Sequence, residues 1–179
     1  MKNDMENCGL CPRRCGANRR AGQRGRCGIG REIRVARAAL HFWEEPCLSG
    51  EAGSGTVFFS GCPLGCVYCQ NREIADGRRG RDITPERLTE IFFELKEKGA
   101  LNINLVTPTH MIESIAPAIE AAKARGIGLP FVYNTGGYDL VPSLQRLDGL
   151  IDIYLPDFKY MSAELSARYS GAPDYFEAA

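Results

Sequence analysis

Three cysteines stand close together in one short segment, GCPLGCVYC, at Cys62, Cys66 and Cys69. Their spacing is C-x3-C-x2-C, which suits three corners of a cubane 4Fe-4S cluster. Structural zinc sites and ordinary electron-transfer clusters take four protein ligands. A three-cysteine array leaves one metal coordination position open to a substrate, and this open position indicates catalytic chemistry.

A second set of cysteines lies near the amino terminus with ligand-like spacing, at Cys8, Cys11, Cys15 and Cys27. These residues could hold zinc or a second iron–sulfur cluster, because the same spacing serves both. The remaining cysteine, Cys47, stands alone, and we expect it to be a small core residue. Since seven of the eight cysteines fall into two tight sets, metal ligation in a reducing compartment is favoured over disulfides.

The amino-terminal set lies in a segment that cannot build an apolar core. Residues 8 to 37 carry nine arginines, and Glu32 is their only acidic residue. Four thiolates on one metal would order such a segment, because metal-binding free energy becomes folding free energy. We therefore expect a Cys/Arg-rich metal-binding appendage at residues 1–40 and the main domain at residues 41–179.

The chain after residue 56 alternates short apolar runs with longer helical segments. Helices are predicted from Thr84 as N-cap to Gly99, and over 110–125, 140–147 and 162–169. The predicted strands are TVFFSG (56–61), LNINLVT (101–107), LPFVYNT (129–135) and LIDIYLP (150–156). Four strand–helix units in succession predict an α/β fold with a parallel sheet and right-handed crossovers.

Polar residues follow each of the four predicted strands at once, in GCPLGCVYC, TPTH, NTGGY and PDFKY. Loops at the carboxyl ends of parallel strands meet at one edge of the sheet, so these four segments predict one site. His110 lies on this edge, where a proton-transfer role and an ordinary hydrogen-bonded role are about equally favoured. For His41 the ordinary role is favoured. A zinc knuckle completed by Cys47 or His110 is the alternative to the cubane, but it accounts for none of the other loops.

The cysteine array and four further motifs resemble the radical S-adenosylmethionine (radical SAM) superfamily, and within it a group similar to pyruvate formate-lyase activating enzymes. The resemblance covers nearly all of residues 8 to 176. It implies a partial parallel (β/α) barrel, here of about four units, in which S-adenosylmethionine chelates the fourth iron. One electron from the cluster then breaks the sulfur–C5′ bond, and the 5′-deoxyadenosyl radical abstracts a hydrogen atom. The motifs are HFWEEP, GSGTVFFSGCPLGCVYCQN, NINLVTPTH, FVYNTGGY and YLPDFKY.

Five residues outside the cysteines take S-adenosylmethionine-binding roles by this resemblance. Tyr68 occupies the aromatic position that lies against the adenine. Asn134, Thr135, Asp157 and Lys159 match positions that line the site in the activating enzymes. A lysine and a carboxylate at adjacent strand ends can pair with the carboxylate, amine and ribose of a zwitterionic ligand.

Two features depart from the superfamily pattern. A glycine-glycine-glutamate-like segment usually follows the second strand and holds the methionyl amine, whereas this chain has Thr107-Pro108-Thr109-His110. Hydroxyl or carbonyl oxygens of Thr107 and Thr109 are the candidate replacements. The superfamily barrel also has six βα units, so four units mean either a fragment or an abbreviated barrel.

The predicted function is therefore a radical-generating enzyme, with a glycine of a partner protein as a candidate hydrogen donor and a flavodoxin or ferredoxin as electron donor. The alternatives are a radical enzyme that acts on RNA or a small molecule, and a non-catalytic cluster or zinc protein. RNA is not favoured, because no aromatic residue interrupts the arginines between residues 12 and 37 to stack on bases. The 22 basic and 22 acidic residues balance, and no apolar run approaches a membrane span of about 20 residues. MKNDMENCGL lacks a secretory signal, so we expect a cytoplasmic protein.

Overall fold

The computed structural model describes residues 5–179, so the first four residues of the predicted appendage lie outside the described residues. The fold is built on one six-stranded sheet with the strand order β3-β1-β2-β4-β5-β6. Its strands are β1 (Ile33–His41), β2 (Ser54–Phe59), β3 (Arg81–Ile83), β4 (Ile103–Val106), β5 (Phe131–Thr135) and β6 (Ile153–Pro156).

Four of these strands form the parallel part of the sheet, as the sequence predicts. β2, β4, β5 and β6 are parallel neighbours, and each overlaps one of the predicted strands. One register row crosses all four strands, through Val57, Leu105, Tyr133 and Tyr154. The sheet is open, so the α/β fold is confirmed and has the form of a partial barrel.

An antiparallel pair, which the sequence did not predict, extends one edge of the sheet. β1 pairs with β2 on one side and with the short β3 on the other. Arg34 of β1 holds this edge through two bonds of 2.6 Å to the carboxylate of Asp82 in β3. β1 crosses residue 40, where the appendage was expected to end, and the division into two domains stays a prediction.

Within residues 5–179 the sheet is accompanied by seven α-helices, and none of them is long and apolar enough to cross a membrane. Turns of 3-10 helix precede the fourth helix, at Thr109–Met111, and follow the fifth, at Gln145–Leu147. The helices are α1 (Pro46–Ser49), α2 (Arg72–Ala75), α3 (Pro85–Glu97), α4 (Ile112–Ala124), α5 (Val141–Leu144), α6 (Ala163–Ser170) and α7 (Tyr175–Ala178).

Helix α3 shows how the sequence determines the helical layer. The hydroxyl of Thr84 accepts a hydrogen bond from the backbone N–H of Arg87 at 3.3 Å, and Pro85 occupies the first turn. The apolar side chains at helical spacing are all buried, namely Leu88, Ile91, Phe92 and Leu95. The Phe92 ring meets the ring of Phe131 on β5 edge-on at 5.2 Å. α3 packs against α4, and their apolar residues form one core with the side chains on one face of the parallel strands.

The amino-terminal segment docks on this sheet without helix or strand between residues 5 and 32. Its own apolar cluster is small and consists of Cys8, Leu10 and Ala17. The hydroxyl of Ser143 on α5 donates to the carbonyl of Leu10 at 2.8 Å. Hydrogen bonds to the main body therefore hold much of this segment in place.

We expect the Thr84→Ala substitution to lower the free energy of unfolding by about 1 kcal/mol, because the Arg87 N–H at the start of α3 loses its cap. Urea denaturation monitored by circular dichroism measures the change. Thr84→Ser keeps the capping oxygen and should stay close to the parent protein. An equal loss in both variants would show that the hydroxyl is not what stabilises the helix start.

Candidate active site

The loops that follow the parallel strands meet at the carboxyl edge of the sheet. Gly136, just after β5, shows how closely they approach. A Cβ atom at this position would lie 3.5 Å from Cδ2 of Leu64 in the cysteine loop and 3.5 Å from Cε of Lys159 after β6. The structure thus brings the loops after β2, β5 and β6 together, as the strand order requires.

Cys62, Cys66 and Cys69 are half-buried on the loop after β2. Burial raises the pKa of the Cys62 thiol to about 11, and the two neighbouring thiols add to the effect, while the backbone N–H groups of Gly65 and Leu64 oppose it. The hydroxyl of Ser170 on α6 donates to Sγ of Cys66 at 3.0 Å.

These donors suit thiolates that bind iron, because hydrogen bonds to sulfur tune iron–sulfur clusters. Among residues 5–179, no group of three His, Cys, Asp or Glu side chains has the geometry of a metal-ion site. A cubane binds each thiolate at a different iron, so its three cysteines need not converge on one point. The donor set on this loop therefore fits a cluster of that kind.

Tyr68 presents an aromatic ring beside the cysteines. The side chain is about half exposed, at 56%. Its hydroxyl donates to the hydroxyl of Tyr160 at 2.7 Å, and its ring meets those of Tyr160 and Tyr169 edge-on. These contacts fix the ring while leaving part of its surface accessible to a planar ligand.

Asp157 and Lys159 form an ion pair of 2.6 Å at the end of β6. Desolvation alone would lower the pKa of the Lys159 ammonium, but the hydrogen bond and charge of Asp157 outweigh it and the pKa is raised. The backbone N–H of Lys159 donates to the hydroxyl of Tyr175 at 2.9 Å, which holds the loop. The pair offers both signs of charge near the cysteine loop.

Asn134 is half-buried on the face of the sheet opposite α3 and α4. Its neighbour there is Glu44, which was not predicted as a site residue. The amide of Asn134 donates to Glu44 Oε1 at 3.4 Å, and the amide of Asn104 donates to Oε2 at 2.6 Å. Desolvation raises the pKa of Glu44, and the adjacent charge of Glu45 adds to this. The two adjacent glutamates in HFWEEP were the sequence signal for this contact, but the two asparagines that bind Glu44 lie far away in the sequence.

Thr135 is buried, and its hydroxyl is engaged within the protein. It donates to Asp139 Oδ2 at 2.6 Å, while the hydroxyl of Tyr133 donates to Oδ1 at 2.8 Å. The Thr109 hydroxyl lies 3.2 Å from that of Thr135 and ties the loop after β4 to the same network. Asp139 was not predicted, although a buried carboxylate with two hydroxyl donors organises this edge of the site.

The loop after β4 begins with a strained residue. Thr107 has φ 57°, in the left-handed region that a β-branched residue rarely adopts, and its N–H donates to the carbonyl of Asn134 at 2.8 Å. Such strain is found at functional sites, where the surrounding structure maintains it. Here the conformation of Thr107 directs the chain from the end of β4 toward the carboxyl edge of the sheet, where the site lies.

His110 is fully buried. Its Nε2 is 2.8 Å from the carbonyl oxygen of Ser60, and burial lowers its pKa to about 4. These observations favour the ordinary hydrogen-bonded role over proton transfer. His41, half-buried, packs its ring edge-on against Phe58 at 5.9 Å.

The prediction that Cys47 is a core residue is wrong. Its side chain is exposed on α1, because the buried positions of this short helix are the next two, Leu48 and Ser49. The Leu48 carbonyl accepts a bond of 2.8 Å from Asn102, which directly precedes β4. Cys47 therefore lies at the amino ends of the parallel strands, opposite the Cys62 loop, and cannot complete a zinc site there.

The four amino-terminal cysteines lie near one another. Cys8, Cys11 and Cys27 are buried and Cys15 is exposed. Burial raises the pKa of Cys11 to about 12, and the three other thiols add to the effect. A Cβ at Gly25 would lie 3.2 Å from Sγ of Cys15 and 3.5 Å from Sγ of Cys27. The structure thus places these cysteines near one another, and metal binding by them stays a prediction.

The fold is an open α/β sheet of the partial-barrel kind, with three thiols, an aromatic ring and an ion pair at its carboxyl edge. Comparison with known families agrees, since the model of the Radical SAM superfamily matches residues 56–177. The chain belongs to the radical SAM superfamily. Membership implies a 4Fe-4S cluster and S-adenosylmethionine, and members of the superfamily are generally enzymes.

Individual relatives agree with this assignment. An uncharacterised protein of Methanocaldococcus jannaschii is 32% identical over 185 residues, which cover 98% of this chain and 52% of the relative. The pyruvate formate-lyase 1-activating enzyme of Escherichia coli is 27% identical over 128 residues, which cover 66% of this chain and 50% of that enzyme. The chain spans about half the length of the curated relatives it matches.

We expect the free energy of unfolding to decrease as the pH falls below about 6.5, the ordinary pKa of histidine. Below that pH the unfolded chain binds a proton at His110, whereas the folded chain binds it only near pH 4. The separation of the two pKa values corresponds to about 3 kcal/mol. Urea denaturation at a series of pH values measures the slope. His110→Gln should flatten the profile between pH 4 and 6.5, with His41→Gln as the matched control. A profile unchanged by His110→Gln would contradict the assignment.

Proposed function

We propose that the chain holds a 4Fe-4S cluster on Cys62, Cys66 and Cys69 and uses it to cleave S-adenosylmethionine reductively. The observation that carries this proposal is the placement of three half-buried thiols on one loop at the carboxyl edge of the parallel strands. When bound, the cluster and S-adenosylmethionine together supply a 5′-deoxyadenosyl radical, which abstracts a hydrogen atom. The residues around the loop bind and orient the reactants.

The roles of the binding residues follow from their contacts. Lys159 and Asp157 offer opposite charges to the carboxylate, amine and ribose hydroxyls of S-adenosylmethionine, and Tyr68 offers an exposed ring face to the adenine. Asn134 can donate to the ligand from an amide that Glu44 orients. Because the hydroxyl of Thr135 is bonded to Asp139, we assign Thr135 a positioning role in the loop after β5.

The amino-terminal cysteines form part of the same proposal. We assign zinc or a second iron–sulfur cluster to Cys8, Cys11, Cys15 and Cys27, supported by their spacing and by their proximity in the fold. Cysteine usage of this kind favours a reducing compartment, so we propose the cytoplasm as the location.

The similarity to pyruvate formate-lyase 1-activating enzyme supports a narrower proposal. In that role the radical abstracts hydrogen from a glycine of a protein substrate, and a flavodoxin or ferredoxin supplies the electron. The arginine-rich segment offers little support for the RNA alternative, since Arg13, Arg19 and Arg34 donate their hydrogen bonds inside the protein.

We expect the anaerobically reconstituted protein to release 5′-deoxyadenosine when dithionite and S-adenosylmethionine are added. Cys66→Ala should reduce the product by at least about a hundredfold, because the cluster loses one of its three thiolate ligands. Liquid chromatography with mass spectrometry measures the product. Cys47→Ala removes an exposed thiol at the opposite edge of the sheet and is the matched control.

The non-catalytic alternative makes the opposite prediction for the same samples. If wild-type protein with a spectroscopically intact cluster forms no 5′-deoxyadenosine, the enzyme proposal is wrong. Equal product from the wild type and Cys66→Ala would show that the Cys62 loop does not hold the reactive cluster.

The activase proposal needs a separate measurement. With pyruvate formate-lyase as the probe substrate, we expect electron paramagnetic resonance to show a protein-based radical that depends on S-adenosylmethionine and is lost with Cys66→Ala. Substitution of the acceptor glycine of the probe should abolish the signal. Efficient 5′-deoxyadenosine formation without any radical on the probe would contradict activation of this substrate while preserving the cleavage reaction.

A further inference from the structure

We propose that a tetrathiolate metal centre on Cys8, Cys11, Cys15 and Cys27 sets the conformation of the cluster-binding loop through Arg13, with Arg19 as its buried counter-ion. The inference rests on the proposed function, because it takes the loop at Cys62 as the site of the catalytic cluster. It adds a positioning role for a segment whose cysteines would otherwise serve only its own folding.

Arg13 is the physical link between the amino-terminal segment and the cluster loop. Its Nε donates to the carbonyl of Pro63 at 2.7 Å, and its Nη2 donates to the carbonyl of Leu64 at 3.0 Å. These two acceptors lie between Cys62 and Cys66. The guanidinium therefore holds the backbone of the loop that supplies the cluster ligands.

The same guanidinium also binds the end of α6. Nη2 donates to the carbonyl of Ser170 at 2.6 Å, and Nη1 donates to the carbonyl of Gly171. A cation is favourable there, because the last carbonyls of a helix carry partial negative charge. Ser170 in turn donates through its hydroxyl to Sγ of Cys66. Arg13 thus anchors both the ligand loop and a hydrogen-bond donor to one of its thiols.

The position of Arg13 depends on the cysteine turn that contains it. Arg13 lies two residues from both Cys11 and Cys15, and the backbone N–H of Arg14 donates to the Cys11 carbonyl at 3.0 Å to close the turn. The segment has only a small apolar cluster of its own and no helix or strand. Ligation of the flanking thiols is therefore the strongest restraint that its chemistry offers on where the guanidinium lies.

Arg19 places a buried positive charge beside these thiols. The residue is only 2% exposed; its Nη1 donates to the carbonyl of His110 at 2.7 Å and its Nη2 to Sγ of Cys27 at 3.3 Å. Its Nε has no hydrogen-bond partner among the described residues. A guanidinium buried without an anion is destabilising, and a neighbouring negative charge offsets this cost.

A metal held by four thiolates supplies that negative charge, since the ligands outweigh the cation in zinc and iron–sulfur centres alike. The Nη2 atom of Arg19 and the thiols of Cys15 and Cys27 all lie within 3.5 Å of the Cβ position of Gly25. A side chain at Gly25 would occupy the space where charge and thiols meet. Ligation requires the side chains to turn toward one point, which the exposed Cys15 can do without disturbing the core.

The first test counts metals in the full-length chain, purified and reconstituted without oxygen. Elemental analysis of wild-type protein should show either about one zinc, or about four iron atoms beyond the roughly four of the catalytic cluster. Cys15→Ser should lose this zinc or these additional iron atoms, and Cys47→Ser should keep them. Zinc and iron contents distinguish the two centres. Equal metal in wild type and Cys15→Ser would overturn the proposal.

The second test measures hydrogen exchange in residues 62–71 of the same samples. We expect loop exchange to rise by roughly tenfold in Cys15→Ser and in Arg13→Gln, with Arg14→Gln as the matched control that removes an exposed charge from the same turn. The double variant should exchange no faster than either single variant, because both act through one link. Arg13→Lys, which keeps the charge but cannot reach all four carbonyls, should be intermediate.

The outcomes separate this proposal from the proposed function. Unchanged loop exchange in a Cys15→Ser protein that has lost its amino-terminal metal would disprove the coupling, even if 5′-deoxyadenosine forms normally. Conversely, a wild-type protein that makes no 5′-deoxyadenosine but shows metal-dependent loop exchange would keep the coupling and overturn the enzyme proposal. If Arg13→Gln does not fold, an Arg13→Lys loop that exchanges as in wild type would disprove the link.

Discussion

The parallel alignment of β2, β4, β5 and β6 is the constraint on which the site depends. Because parallel strands all end at the same edge, residues more than 90 positions apart, such as Cys66 and Lys159, come to neighbouring loops. The crossover helices α3 and α4 then cover one face of the sheet, and Asn134 lies on the other. Asp139 accepts hydrogen bonds from the Tyr133 and Thr135 hydroxyls of β5, and Thr109 in the loop after β4 bonds to Thr135, so the ends of β4 and β5 are joined.

The elements that were predicted correctly are those with local signals. Parallel strands buried on both sides are continuous apolar runs, and α3 has a cap, a proline and a helical apolar stripe. β1 was not predicted because Arg34 and Arg37 interrupt its apolar run, and its partner β3 is only three residues long. Strand pairing at such an edge depends on distant residues, which a local pattern does not contain.

The site shows the same division between local and distant information. The cysteine spacing and the resemblance point to the loop of Cys62, Cys66 and Cys69, to Tyr68 and to the charged pair after β6. Glu44 and Asp139 depend on contacts that only the fold creates. The arginines of the amino-terminal segment cannot be assigned partners from the sequence, because a charge pattern does not reveal hydrogen-bond acceptors. Arg13 and Arg19 donate to backbone carbonyls, and Arg19 also to a thiol, so these two arginines hold the segment to the rest of the protein.

The bonds of Arg13 also determine the order in which the protein can be assembled. Arg13 and its acceptor at Gly171 are separated by 158 residues, and Leu10 binds a hydroxyl 133 residues away. At a synthesis rate of about 5–20 residues per second, the amino-terminal segment waits roughly 10 to 30 seconds on the ribosome before its docking partners emerge. Until then the nascent chain presents the four amino-terminal thiols without the sheet against which they pack in the folded protein. Docking of the amino-terminal segment has to wait for residues 170 and 171, and the loop that carries Cys62, Cys66 and Cys69 completes its contacts with Arg13 only while the segment is docked.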